Sequence, residues 1–167
     1  MSKYNNFLIE TDLFYNLNGS QLKLIESLCE ELEFRKGEIV FSENTREGEL
    51  YLVEQGLVEI LVNPDLVAPS HKKSNKPSPI ALLRRGQSFG EIALVDEGIR
   101  SASAIAQEDN TRLLKITRTK FLELCKSNPE LGYLVMYNLS VDLARKIRNA
   151  DLQIREALLY QQQDKTR

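Results

Sequence analysis

The sequence predicts a mainly β domain, a sandwich or barrel, with helices at both ends. Three observations predict it. Between Phe34 and Ile116 the apolar residues come in short β-rich runs at nearly regular intervals. Gly37, Gly48, Gly56, Gly86 and Gly98 separate those runs, and the apolar spacing on either side of the region is helical. A chain of 167 residues is long enough for one domain with a proper core and too short for a second full one. It divides into an N-terminal helical segment (1–32), a β region (33–117), C-terminal helices (118–160) and a polar tail (161–167).

The first helix is expected over Ser20 to Leu32, where Leu22, Ile25, Leu28, Cys29 and Leu32 fall at helical spacing behind Ser20 as N-cap. The β runs are Ile39-Val40-Phe41, Leu50 to Val53, Leu57 to Val62, Ile80 to Leu83, Ala102 to Ala106 and Leu113 to Ile116. Asn63 to Pro79 carries four of the five prolines together with Ser, Asn and Lys, and is expected to be a long polar loop. Its Lys72, Lys73 and Lys76 form either a basic contact patch or, more simply, a solvated loop tip.

After Ile116 the helical period returns in Thr119 to Lys126. A longer helix is expected from Pro129, a residue suited to the first helical turn, to about Tyr160. Within it Met136, Leu143, Ala150 and Ala157 share one heptad position, and Ser140, Ile147 and Ile154 another. This seam points to a homodimer through the C-terminal helix. The simpler alternative is a helix packed only on its own barrel.

Composition narrows the function classes. Twenty-two basic against 24 acidic residues leave a net charge of -2, so no global field attracts nucleic acid or an anionic membrane. Any anionic ligand must be held locally. The apolar stretches are too short and too interrupted to span a bilayer, and the opening MSKYNNFLIETD lacks the apolar core of a signal peptide. A cytoplasmic location is expected, with no membrane contact. Cys29 and Cys125 lack metal-ligand spacing and read as reduced core residues. The single histidine, His71, lies in a polar segment, so neither a catalytic triad nor a cupin-type metal cluster can be built. No catalytic residue, metal or cofactor is expected, and the protein reads as non-enzymatic.

The chemistry concentrates in residues 86–102, Gly86-Gln87-Ser88-Phe89-Gly90-Glu91-Ile92-Ala93-Leu94-Val95-Asp96-Glu97-Gly98-Ile99-Arg100-Ser101-Ala102. Small residues Gly90 and Ala93 around one turn let backbone N–H groups converge on a single point, as phosphate sites require. Arg100 supplies a guanidinium fork matched to phosphate. Glu91 would repel phosphate, but it suits a ligand that also offers a hydroxyl, such as a ribose 2'-OH. A surface Glu91–Arg100 salt bridge is the simpler alternative.

Phe89-Gly90-Glu91-Ile92-Ala93-Leu94, then five residues, then Arg100-Ser101-Ala102, closely resembles the phosphate-binding cassette of cyclic-nucleotide-binding domains. Phe34 to Phe41, the Tyr-containing Leu50 to Gly56, and Phe121 to Pro129 extend the resemblance to roughly Phe14 to Ile154. It implies an eight-stranded, jelly-roll-like β-roll flanked by an N-terminal helix and long C-terminal helices. It also implies a ligand site of Phe89, Gly90, Glu91, Ile92, Ala93, Arg100, Ser101 and Ala102. Arg100 would take the cyclic phosphate, with the amides of Ile92, Ala93 and Ala102 around its oxygens, and Glu91 the ribose 2'-OH. Leu143 and Ile147 are candidate lid contacts over the base.

The chain departs from the pattern in two places: Ile99 replaces the usual proline, and Ser42-Glu43-Asn44-Thr45 lacks the usual turn glycine. Ser101 occurs with both common ligands, and the reading takes cyclic AMP ahead of cyclic GMP. The residues after Ile154 are too few for a helix-turn-helix. No DNA reader, kinase or cyclase segment or channel is expected. The implied function is a cyclic mononucleotide sensor that acts through its C-terminal helix on an unknown protein partner. The alternative is a dimerising scaffold with weak or lost nucleotide binding.

Overall fold

The computed structural model describes residues 3–63, 77–96 and 98–164. Among the described residues, eight strands form two four-stranded antiparallel sheets. One runs β1 (Glu30–Phe34), β8 (Thr111–Thr117), β3 (Glu49–Gln55), β6 (Ser88–Phe89). The other runs β2 (Ile39–Phe41), β7 (Ser103–Ala106), β4 (Val58–Val62), β5 (Ser78–Leu83). The helices are α1 (Asn5–Ile9), α2 (Gly19–Leu28), α3 (Ile92–Asp96), α4 (Arg118–Ser127) and α5 (Pro129–Asp164), with a 3-10 turn over Asp12–Phe14. The expected β-roll with an N-terminal helix and long C-terminal helices is the architecture observed. His71, Lys72, Lys73 and Lys76 lie outside the described residues, and β5 begins at Ser78, inside the stretch expected to be loop.

The first sheet is buried on both faces, because successive strand side chains point to opposite sides. Leu50 and Leu52 of β3, with Leu114 and Ile116 of β8, meet a helical layer of Phe7, Leu8, Phe14, Leu22, Ile25, Phe121, Leu131, Val135 and Leu139. Tyr51, Val53 and Leu113 point the other way, into the roll, against Phe41, Val58, Leu83, Phe89 and Ala104. This explains the unbroken apolar run Leu50-Tyr51-Leu52-Val53, which a sheet with one wet face would not need.

Two N-terminal expectations are corrected. The N-cap of α2 is Asn18, not Ser20. Its side chain accepts from the N–H groups of Ser20 and Gln21 at 3.0 Å each, and Gln21 Oε1 accepts from the Asn18 N–H at 2.9 Å, a reciprocal capping box. The helix also stops at Leu28 instead of continuing to Leu32. Leu32 and Phe34 alternate with Glu31 and Glu33, and Leu32 pairs with Leu113 while its side chain packs toward the roll interior. A leucine at that position satisfies either period, and the edge of β8 decides in favour of strand. The sequence reading also passed over α1 and the 3-10 turn, whose Phe7, Leu8, Leu13 and Phe14 are held by packing.

α5 turns a different face outward than the heptad count implies. Met136 and Leu143 pack, half-buried, against the domain's own helical core. Ile147 and Ile154 stand 63% and 57% exposed. Asn138 Nδ2 donates to the carbonyls of Leu13 and Tyr15 at 3.1 and 2.9 Å, and Arg145 pairs with Asp12 at 3.0 Å, so the first half of α5 is fastened to the N-terminal segment. Both cysteines are free, and burial pushes the Cys29 thiol up to about 12, leaving it protonated and unreactive.

The corrected cap is testable by urea unfolding. Asn18→Ala is expected to cost about 1 kcal/mol, and Ser20→Ala no more than a few tenths. A larger loss for Ser20→Ala than for Asn18→Ala would return the cap to Ser20.

Candidate functional site

The site is built where β6 leaves the first sheet. After Phe89 the chain turns at Gly90, whose φ of +77° lies in the left-handed region that favours glycine. A Cβ there would fall 2.6 Å from Arg100 Nη1 and 2.7 Å from the Glu49 carbonyl oxygen. Gly90 is therefore required both by its backbone and by what passes over it.

Arg100, expected on the phosphate, is buried, with its side chain only 3% exposed. Nη1 donates to the Gly90 carbonyl at 3.2 Å, and Nη2 to the Glu49 carbonyl at 2.9 Å and the Glu49 carboxylate at 3.2 Å. Its guanidinium lies 4.1 Å from the Phe41 ring centre and 5.8 Å from that of Tyr51. Nε is buried without a partner among the described residues. A buried donor left unpaired is costly, so the arginine retains one hydrogen-bonding direction that a ligand or water can satisfy.

Glu91 is also buried, and its carboxylate meets the ammonium of Lys146 from α5 at 3.0 Å. The simpler alternative of a Glu91–Arg100 surface pair is thereby replaced: both groups are buried, and each has a different partner. Lys146 additionally donates to the Ser88 carbonyl at 3.1 Å and pairs with Asp142, one helical turn back, at 2.8 Å.

These groups open onto one cavity of about 440 Å³. Phe89, Gly90, Glu91, Ile92, Ala93, Arg100, Ser101 and Ala102 all line it, so every cassette residue singled out in the sequence is brought to the same space. Ile80, Leu82 and Leu83 of β5 form an apolar side opposite the cassette. The lid candidates Leu143 and Ile147 are corrected: Leu143 packs on the helical core, Ile147 is exposed, and neither lines the cavity. α5 contributes Lys146, Asn149, Ala150 and Gln153 instead. Lys146, Asn149 and Gln153 are polar residues at three- and four-residue spacing, which a count of apolar positions passes over, whereas Ala150, counted in the heptad seam, faces the cavity instead. Glu49 was missed as well, because it meets Arg100 from 51 residues away.

The missing turn glycine after Phe41 finds its explanation in the backbone. Asn44 adopts φ +67°, which asparagine tolerates, and so stands in for the turn glycine. The Asn44 N–H donates to the Arg100 carbonyl and the Arg100 N–H to the Thr45 carbonyl, both at 2.9 Å. Ile99, in place of proline, lies half-exposed at the cavity edge.

The profile of the family described as Cyclic nucleotide-binding domain matches residues 31–128. The chain belongs to this family. The domain is 36% identical over 142 residues to the Cyclic AMP receptor protein of Thermus thermophilus, covering 85% of this chain and 60% of that one. It is similar to the crystal structure of the Thermus thermophilus Catabolite Activator Protein, with a TM-score of 0.72 and 34% identity over 87% of this chain and 62% of that one. Against a cAMP-bound PfPKA-R the TM-score is 0.60 at 28% identity, over 72% of this chain and 40% of that one. The chain thus spans less than two thirds of the length of these relatives. Among the described residues of the domain, no helix is long and apolar enough to cross a membrane, and no group of His, Cys, Asp and Glu is placed to hold a metal ion.

Gly90→Ala is expected to destabilise the domain by more than about 1 kcal/mol, since alanine meets both a positive φ and the guanidinium. Thermal unfolding measures this. A variant as stable as wild type would show that Arg100 is not held over Gly90.

Proposed function

We propose that the domain is a non-enzymatic, cytoplasmic sensor that binds a cyclic mononucleotide in the cassette cavity. The observation that carries this reading is the buried Arg100 guanidinium, held flat by Glu49, Gly90 and two aromatic rings, with its Nε left without a partner beside a cavity. Arg100 binds the cyclic phosphate, whose oxygens also take the N–H groups of Ile92, Ala93 and Ala102. Glu91 accepts from the ribose 2'-OH. The base lies between the apolar side chains of β5 and the α5 residues Asn149 and Gln153, whose amides offer both donors and acceptors to a base edge. Cyclic AMP is taken ahead of cyclic GMP, in keeping with the names of the Thermus thermophilus receptor and the cAMP-bound PfPKA-R.

A second copy of the chain as partner is supported by the outward side of α5. Tyr133 and Tyr137 stack there with ring centres 6.3 Å apart, and Ile147, Ile154 and Leu158 are exposed further along the same helix. The scaffold alternative shares this surface and differs only in lacking the ligand.

Titration calorimetry with cyclic AMP and cyclic GMP tests the reading. Arg100→Ala should lower affinity by about 2–5 kcal/mol, the range for removing one member of a buried charged contact, with Arg100→Lys losing less. Binding as tight as wild type by the alanine variant would exclude the phosphate role. In sedimentation experiments wild type is expected to be a dimer and the pair Ile147→Glu and Ile154→Glu a monomer. A wild-type monomer at tens of micromolar (about ten to fifty), with and without ligand, would leave the exposed face of α5 unpartnered.

A further inference from the structure

Lys146 occupies the group that the proposed ligand needs. Among the described residues, its ammonium is the only hydrogen-bonding partner of the Glu91 carboxylate. The Glu91 side chain is 7% exposed, and a carboxylate so removed from water requires a counter-charge or donor. Lys146 supplies it.

The same ammonium also reaches the Ser88 carbonyl on β6 and the Asp142 carboxylate on its own helix. Burial works against its charge, but the Glu91 and Asp142 carboxylates outweigh that and hold its pKa above the usual lysine value. It is therefore a charged tether between α5 and the cassette. The first half of α5 does not depend on it, being fastened through Leu131, Val135, Leu139, Asn138 and Arg145. Beyond Lys146, Asn149, Ala150 and Gln153 of α5 face the cavity.

The geometry points to Lys146 as a built-in competitor for the ribose: a latch that holds Glu91 while the site is empty and yields it when the ligand's 2'-hydroxyl donates to that carboxylate. This rests on the reading that Glu91 takes the ribose. The ammonium and the hydroxyl are both donors aimed at one buried acceptor, and the ammonium is already there. Displacement does not strand the lysine, because Asp142 lies within reach on the same helix and moves with it. The ligand can release the latch only to the extent that it binds the released arrangement better than the latched one.

Removing Lys146 has two consequences, loss of the competitor and loss of a positive charge near an anionic ligand. The second acts equally on cyclic AMP and on 2'-deoxy cyclic AMP, so it cancels in the ratio of their affinities. Titration calorimetry of wild type, Lys146→Met and Lys146→Gln with both nucleotides therefore isolates the first. The preference for cyclic AMP over its 2'-deoxy form should rise about three- to tenfold in Lys146→Met and by less in Lys146→Gln, whose amide still offers Glu91 a neutral donor. A preference that stays the same or shrinks overturns the latch while leaving the site intact. If all three proteins bind the two nucleotides equally, the ribose role of Glu91 falls together with the latch, and the phosphate role of Arg100 stands. If wild type binds neither nucleotide, the reading of the whole site falls, and the latch with it.

Discussion

A permanent positive charge kept out of water is the constraint around which this domain is arranged. Burial of the Arg100 guanidinium has to be compensated by partners. Those partners come from separate parts of the roll: Glu49 from β3, the Gly90 carbonyl from the turn after β6, Phe41 from β2 and Tyr51 from β3. Phe41, Tyr51 and Phe89 pack within 5.3–5.8 Å of one another beneath the guanidinium, joining the two sheets at this end. Burial and the neighbouring Glu49 carboxylate push the Tyr51 hydroxyl up to about 12, so its ring stays neutral. Gly90 has no side chain because the arginine fills that space.

What could be read from the sequence was what is local in the chain. The cassette was legible because Gly90, Glu91 and Arg100 belong to one stretch with one spacing, and its residues do meet at one cavity. The strands between Ile39 and Ile116 other than β6 were legible because their apolar runs are bounded by turns. Features set by distant partners were not. Leu32 fits a helix and a strand equally, and only its pairing with Leu113 settles which. β6 is two residues long, too short for any alternation to show, and exists because Tyr51 and Leu52 hold it. Lys146 reaches Glu91 across 55 residues, and no local spacing marks that contact.

The replacement of proline by Ile99 shows how a loop can keep its shape by other means. Proline would restrict φ just before the arginine. Here the Arg100 N–H and carbonyl are both engaged by Thr45 and Asn44, so the backbone is fixed from the opposite side of the loop. The Asp96 carboxylate accepts from the Gly98 N–H at 2.8 Å and closes the other end. The loop carrying Arg100 is thus pinned by hydrogen bonds from the β2–β3 connection, which itself contains the left-handed Asn44.

α5 divides its surface by angle. At 100° per residue, Lys146, Ala150 and Gln153 fall on one side of the helix and Ile147, Ile154 and Leu158 on the adjoining one. The cavity takes the first set, and the second is exposed. Because both sets belong to one continuous helix whose first half is locked to the N-terminal segment, the free half cannot turn toward a ligand without turning its apolar side by the same amount. A rotation of one residue step would carry Ile147 toward the position Lys146 now holds. On the proposed reading, a ligand that drew Lys146 away from Glu91 would therefore turn Ile147 and Ile154 with it, with no further relay.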